Sequence, residues 1–98
     1  MIKISSVSVE YVRVKLTADV ELNSQTVELA ILSSQAAEPD DGDWHAATWL
    51  TPEGKSRTAG VLVGTGGLVL PNGEYWVWFR LTDNPEKPAK RAGQLIIT

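Results

Sequence analysis

His45 is the one histidine in this sequence, so any acid–base mechanism that relies on a histidine would have to use it. It stands between Trp44 and Ala46, in a segment whose residues favour a strand. The chain contains no cysteine and no Gly-x-Ser-x-Gly sequence, which are common sources of an activated nucleophile. We therefore interpret His45 as a structural or surface residue, and the sequence predicts no enzyme.

A group of carboxylates ahead of His45 could supply the oxygen ligands that calcium prefers. Its members are Glu38, Asp40, Asp41 and Asp43. Their order does not follow the Asp-x-Asp-x-Asp-Gly pattern of an EF-hand loop, and there is no thiolate for a softer metal. The group is typical of a solvated acidic loop, so no metal site is predicted.

The segment Gly64-Thr65-Gly66-Gly67 resembles a phosphate-binding loop in composition alone. A P-loop has Gly-x4-Gly-Lys-Ser/Thr at the start of a helix, whereas a β-like Leu-Val-Leu run without a lysine follows here. We interpret the segment as a tight connection between strands, with glycines at positive φ angles. No phosphate ligand and no other cofactor is expected.

Four tryptophans in 98 residues are the most informative side chains, because a small β-domain can be built without them. The clearest strand, 74–82, alternates in type, and one of its faces carries Trp76, Trp78 and Arg80. Its other face is apolar and is expected to face the core; it consists of Tyr75, Val77, Phe79 and Leu81. Indoles and arginine are enriched at the centres of interfaces, so the row of Trp76, Trp78 and Arg80 is predicted to bind a partner.

Two other interpretations of this row stay open. A neighbouring segment of the chain, 83–92, could fold over the indoles and make them part of the core. The indoles could also stack on sugar rings instead of contacting a protein. Trp44 and Trp49 form a candidate second aromatic patch.

The order of short alternating runs predicts an all-β fold in a single domain, 1–98. Within the first run the phase of the alternation switches between Tyr11 and Val12, which indicates a bulge or a change of sheet. Seven strands are predicted, at 7–16, 26–32, 44–50, 58–63, 68–70, 74–82 and 93–98. Their number and spacing favour an antiparallel sandwich of two sheets.

The sequence from Leu70 to Tyr75 has the form Leu-x-x-Gly-x-Tyr and leads into the hydrophobic strand 74–82. It resembles the tyrosine corner of immunoglobulin-like domains, in which the tyrosine hydroxyl bonds to the backbone that precedes it. The fold class predicted is therefore an immunoglobulin-like sandwich.

The formal charge of −3, from nine basic and twelve acidic residues, argues against a domain that binds nucleic acid. The small basic cluster Lys87, Lys90 and Arg91 is typical of a solvated loop. The start of the chain is not typical of a secretory signal, and no apolar run approaches the roughly 20 residues of a membrane helix. The absence of cysteine fits assembly in a reducing cytoplasm.

The C-terminal part of the chain contains the motifs Gly-x-Tyr-x-Val-x-x-Arg-x-Thr-Asp from Gly73 and Arg-x-Gly-x-Leu from Arg91. Together with the segments 43–49, 62–67, 73–88 and 91–98, they resemble small proteins encoded by tailed phages of actinobacteria. The resemblance covers most of the chain from about residue 26. The resemblance implies a virion protein of the head and head-to-tail region, either a capsid decoration or a connector component, assembled in the host cytoplasm. Its partners would be other virion proteins, and a homo-oligomer is compatible.

The alternative function is an adhesion module that binds host-surface glycans. In that case Trp44, Trp49, Trp76 or Trp78 would stack on sugar rings. The resemblance assigns no catalytic or binding residue, so the row of Trp76, Trp78 and Arg80 follows from the strand pattern alone.

Overall fold

The fold is all-β, as predicted. A computed structural model describes residues 2–22, 26–34, 37–51, 54–82 and 89–98. These residues form eight strands, β1 Ile2–Ile4, β2 Glu10–Leu22, β3 Thr26–Leu32, β4 Trp44–Ala46, β5 Thr48–Trp49, β6 Gly54–Val63, β7 Gly73–Thr82 and β8 Ala89–Ile97, with a short 3-10 turn at Asp41–Asp43.

The strands make two open sheets that enclose the core, an arrangement consistent with a β-sandwich. One sheet has five strands in the order β1-β8-β7-β3-β4, and the other has three in the order β2-β6-β5. The β1–β8 pair is parallel and the other strand pairs are antiparallel. Alternate residues of a strand point to one face of a sheet, and the buried side chains of the described strands are apolar apart from Arg57 of β6. The buried side chains that meet between the sheets include Val12, Val14, Leu16, Val27, Leu29, Val61, Val63, Val77 and Leu95.

The N-terminal region differs from the predicted single strand at 7–16. Ile2–Ile4 forms a separate strand beside β8, and β2 begins only at Glu10. Between them the chain passes from the five-stranded to the three-stranded sheet, and Val7 there is 90% exposed. The change of sheet therefore takes place before Glu10 and not between Tyr11 and Val12. Within β2 the alternation of buried residues begins at Val12.

Two other predicted strands were wrong. The run 44–50 is divided into β4 and β5, which belong to different sheets. The run 68–70 is not a strand: Leu68 makes a single bridge to Val63, and Val69 is 75% exposed. The described residues therefore contain eight strands and not seven. Both errors concern short segments, where neighbours across the sheet decide the pairing and local alternation carries little information.

The glycine connection after β6 has the positive φ angles that were predicted for it. Gly64 and Gly66 have φ angles of 119° and 89°. The turn is closed by hydrogen bonds from Gly67 N to Gly64 O and from Leu68 N to Leu62 O, each 2.9 Å long. The connection forms a closed loop, after which Leu68 lies beside Val63 and runs parallel to it.

The predicted bond of Tyr75 is also present. Its hydroxyl donates to the carbonyl oxygen of Pro71 at 2.6 Å, and the ring is buried in the core. The bond links the start of β7 to the connection that precedes it. It thereby fixes the position from which the strand with Trp76 and Trp78 leaves the turn.

Candidate functional site

The outer face of the five-stranded sheet brings together side chains from four strands. Val77 is buried, and Phe79 packs against the core, so the intervening Trp78 points outward as predicted. In the sheet register Trp78 lies opposite Ala30 of β3 and Arg91 of β8, and Ala30 lies opposite Trp44 of β4. Residues opposite each other share a face, so these four form one row across the sheet.

We call the set of Glu28, Ala30, Trp44, Trp76, Trp78, Arg80 and Arg91 the tryptophan face. Ala30 is 0% exposed although it points away from the core. Its cross-strand neighbours on this face are two indoles, which are the side chains large enough to cover it. The inner part of the tryptophan face is therefore packed.

Two arginines lie over the indole rings. The Arg80 guanidinium carbon is 4.6 Å from the centroid of the Trp44 ring, and that of Arg91 is 5.4 Å from the Trp78 ring. Both distances are within the range of cation–π attraction. Two of the three indoles of the tryptophan face, Trp44 and Trp78, therefore each have an arginine cation over the ring.

Arg80 is held in place by Glu28, its neighbour across the β3–β7 pair. Its Nε and Nη2 groups donate to Glu28 Oε1 at 3.0 and 2.8 Å. The two side chains are only 22% and 23% exposed. A geometry with two donors and partial burial restricts the guanidinium more than a fully solvated ion pair would.

The indoles of Trp44, Trp76 and Trp78 are half-buried. Of the predicted covering segment 83–92, residues 83–88 lie outside the described residues, while Arg91 covers one side of Trp78. The Nε1 atom of Trp78 is buried and has no hydrogen-bond partner among the described residues. Such a donor costs about 1–3 kcal/mol of stability.

Trp49 does not belong to this face, so the structure does not bring together Trp44 and Trp49, the candidate second aromatic patch. Trp49 lies on β5 in the three-stranded sheet and packs against the core. The Arg57 guanidinium carbon is 4.3 Å from its ring centroid. The two tryptophans are separated because the chain changes sheets at Ala47, whose N–H donates to the carbonyl of Val27.

Arg57 is a residue that the sequence reasoning missed. It is 8% exposed, and its Nε and Nη2 groups donate to the carbonyl oxygen of Thr51 at 3.1 and 2.8 Å. The alternation of the strand could have indicated its burial, since Arg57 points to the same face of β6 as the buried Ala59 and Val61. Its long side chain lies over the Trp49 ring and reaches the Thr51 carbonyl beyond the end of β5.

The other side chains considered for chemistry are His45 and the acidic run 38–43. His45 lies in β4 opposite Leu29. The acidic run forms a turn in which Asp40 N donates to Asp43 Oδ2 at 2.8 Å. In the part of the chain that the structure describes, no three histidine, cysteine or acidic side chains are grouped as metal ligands would be. No helix in that part is long and apolar enough to cross a membrane.

Comparisons of the chain with protein-family models, with curated proteins and with solved structures found no match. The geometry of the tryptophan face and the sequence patterns are therefore the basis for the function proposed below.

Proposed function

We propose that this chain is a non-catalytic, immunoglobulin-like structural protein of a tailed-phage virion. It docks on a capsid or connector protein through the tryptophan face. The observation that carries this proposal is the ordered array of three half-buried indoles and two arginines on a single sheet face. Tryptophan and arginine are enriched among the few residues that contribute most of the binding energy at protein interfaces.

The strand order supports an immunoglobulin-like topology. The sheet β2-β6-β5 corresponds to strands B, E and D of such a domain, and β8-β7-β3-β4 corresponds to G, F, C and C′ of the variable type. The short β1 strand runs parallel to β8 at the edge. The bond from the Tyr75 hydroxyl to Pro71 is the contact that a tyrosine corner makes.

The fixed geometry of the tryptophan face favours binding of a preformed shape. Because Glu28 holds Arg80 and Arg80 lies over Trp44, these side chains lose little freedom when a partner covers them. Association costs less when side chains are already ordered. The virion role is supported by the resemblance of segments 43–49, 62–67, 73–88 and 91–98 to small proteins of actinobacterial phages, and a chain without cysteine suits assembly in a reducing cytoplasm.

Trp76→Ala tests this function with the least disturbance of the fold. Trp76 lies opposite Leu32 and Gln94 and does not flank Ala30, so its removal leaves the packed row intact. We expect the amount of the protein in purified particles to fall by at least about tenfold, since truncating a central interface tryptophan commonly costs 2 kcal/mol or more. Mass spectrometry of particles from the phage carrying the variant gene measures this, and circular dichroism checks the fold.

Val69→Ala is the matched control, because it shortens an exposed apolar side chain away from the tryptophan face. It should enter particles in normal amounts. Normal incorporation of Trp76→Ala would show that another surface docks. A saturable change of tryptophan fluorescence on titration with host cell-wall polysaccharide would favour the alternative, a glycan-binding adhesion module.

A further inference from the structure

A groove opens between the two sheets on the side where β2 faces β1 and β8. Its volume is about 460 Å³. Its apolar lining includes Ile2, Val14, Val77 and Phe79, and Arg13 and Lys15 line it from β2. Val14 and Val77 are 6% and 1% exposed, so the apolar surface that a group in the groove can contact belongs mainly to the half-buried Ile2 and Phe79.

Strand edges border this groove. β2 is the outermost strand of its sheet and pairs continuously with β6 over 10–17. Among the described residues no strand pairs with its other edge. On that edge alternate N–H and C=O groups point toward the groove, because an antiparallel strand directs only half of them to one neighbour. β1 borders β8 only at Leu95–Ile97 and does not extend along the rest of the groove.

An exposed edge beside an apolar floor fits an added β-strand better than it fits a small molecule. The backbone of an extended segment would satisfy the edge groups of β2. Every second side chain of that segment would point toward Val77 and Phe79. The other side chains would stand on the outer face of the three-stranded sheet, beside Arg13 and Lys15.

The charge at this edge selects the kind of segment. Arg13 and Lys15 are exposed on the outer face of β2, and the residues opposite them on β6 are Gly60 and Thr58, so neither faces an acid there. If β2 paired in antiparallel fashion with the β2 of a second copy, the outer faces of the two strands would lie on the same side of the joined sheet. This pairing would bring these cations close to those of the other copy, which is unfavourable. An incoming strand with acidic outer residues meets both cations with opposite charge.

We propose that the groove binds an extended acidic segment of another protein, with apolar and acidic residues in alternation, as a strand added to the edge of β2. This surface is separate from the tryptophan face and the inference does not depend on the function proposed for that face. It gives the chain a second docking mode, in which main-chain hydrogen bonds hold the partner and Arg13 and Lys15 select its charge.

The probe for this proposal is a labelled peptide of about eight alternating valine and glutamate residues, a common strand length. We expect saturable binding by fluorescence anisotropy and slower amide hydrogen exchange within 10–17. A peptide of alternating valine and lysine should bind at least about tenfold more weakly, because like charges directly opposite destabilise a strand pair. The Arg13→Glu/Lys15→Glu double variant should reverse this preference, and circular dichroism checks that it folds.

Trp76→Ala should bind the valine–glutamate peptide as the unaltered chain does, so failure at one surface is distinguishable from failure at the other. Three results would overturn the proposal. The first is no binding, or binding without protection of 10–17. The second is equal affinity of the two peptides or no effect of the charge reversal. The third is a dimer in light scattering in which the 10–17 amides that do not bond to β6 are already protected without peptide, which would assign the edge to a second copy.

Discussion

Gly64→Ala is expected to lower the free energy of unfolding by about 3 kcal/mol, the sum of backbone strain and a steric clash. Gly64 has a φ angle of 119°, which other residues rarely adopt. A Cβ atom at this position would stand 2.5 Å from the carbonyl oxygen of Ser8 and 3.0 Å from the Cα of Val9. Both contacts are with backbone, so a change of rotamer cannot relieve them. Thermal unfolding followed by circular dichroism should show a drop of roughly 12–24 °C.

Gly66→Ala is the matched control for this prediction. Gly66 also has a positive φ angle, 89°, but a Cβ there would meet nothing within 4 Å. It should therefore cost only the backbone strain, about 1 kcal/mol. Equal losses for the two variants would contradict the close approach of the Gly64 turn to the connection between β1 and β2.

Arg57→Ala is expected to cost about 2–4 kcal/mol, because it removes a cation–π contact, packing along the arginine stem and the donors to a part-buried carbonyl. Arg57 donates twice to Thr51 O and lies over the Trp49 ring. Without it, the Thr51 carbonyl loses two donors and one side of the indole is uncovered. Urea unfolding monitored by circular dichroism measures the loss.

The control for Arg57 is Arg13→Ala on the neighbouring strand. Arg13 is exposed, and its guanidinium carbon is 6.0 Å from the Tyr11 ring centroid, at the outer limit of a useful contact. This variant should stay within about 0.5 kcal/mol of the unaltered chain. If Arg57→Ala lowered the free energy of unfolding by no more than Arg13→Ala does, the contacts of Arg57 would not stabilise the core.

Features of the fold that depend on a short stretch of sequence could be predicted from that sequence. In β7 the alternation of large apolar and outward residues is unbroken, so Val77 and Trp78 could be placed on opposite faces from sequence alone. The bond of Tyr75 followed from the resemblance of the Leu-x-x-Gly-x-Tyr segment to a tyrosine corner. The positive φ angles at Gly64 and Gly66 followed from a glycine cluster between apolar runs. Each of these features is determined within a few residues of the chain.

Features that depend on distant partners could not be predicted in the same way. The run 44–50 has a continuous β-like composition, yet its two halves pair with β3 and β6 in different sheets. The contact of Arg80 with Trp44 depends on the register of three strands, which local alternation does not contain. For the same reason Trp44 was grouped with the nearby Trp49 and not with Trp78. Residues that are close in the chain do not share a face when the chain changes sheets between them.

The two proposed surfaces would let one copy contact two neighbours. The tryptophan face belongs to the five-stranded sheet, and the groove lies at the edge between the sheets. A flat face suits docking on a folded surface, whereas an edge suits an extended segment. A structural protein with both kinds of contact can join a folded neighbour to the extended segment of another protein.

We expect the tryptophan face to be covered by a partner in the assembled particle. Hydroxyl-radical footprinting with mass spectrometry, on the isolated protein and on purified particles, measures this directly. Oxidation of Trp76 is expected to fall several-fold in particles, while oxidation of Trp49, which lies on the other sheet, stays unchanged. Equal oxidation of Trp76 in the two states would show that no partner covers this face.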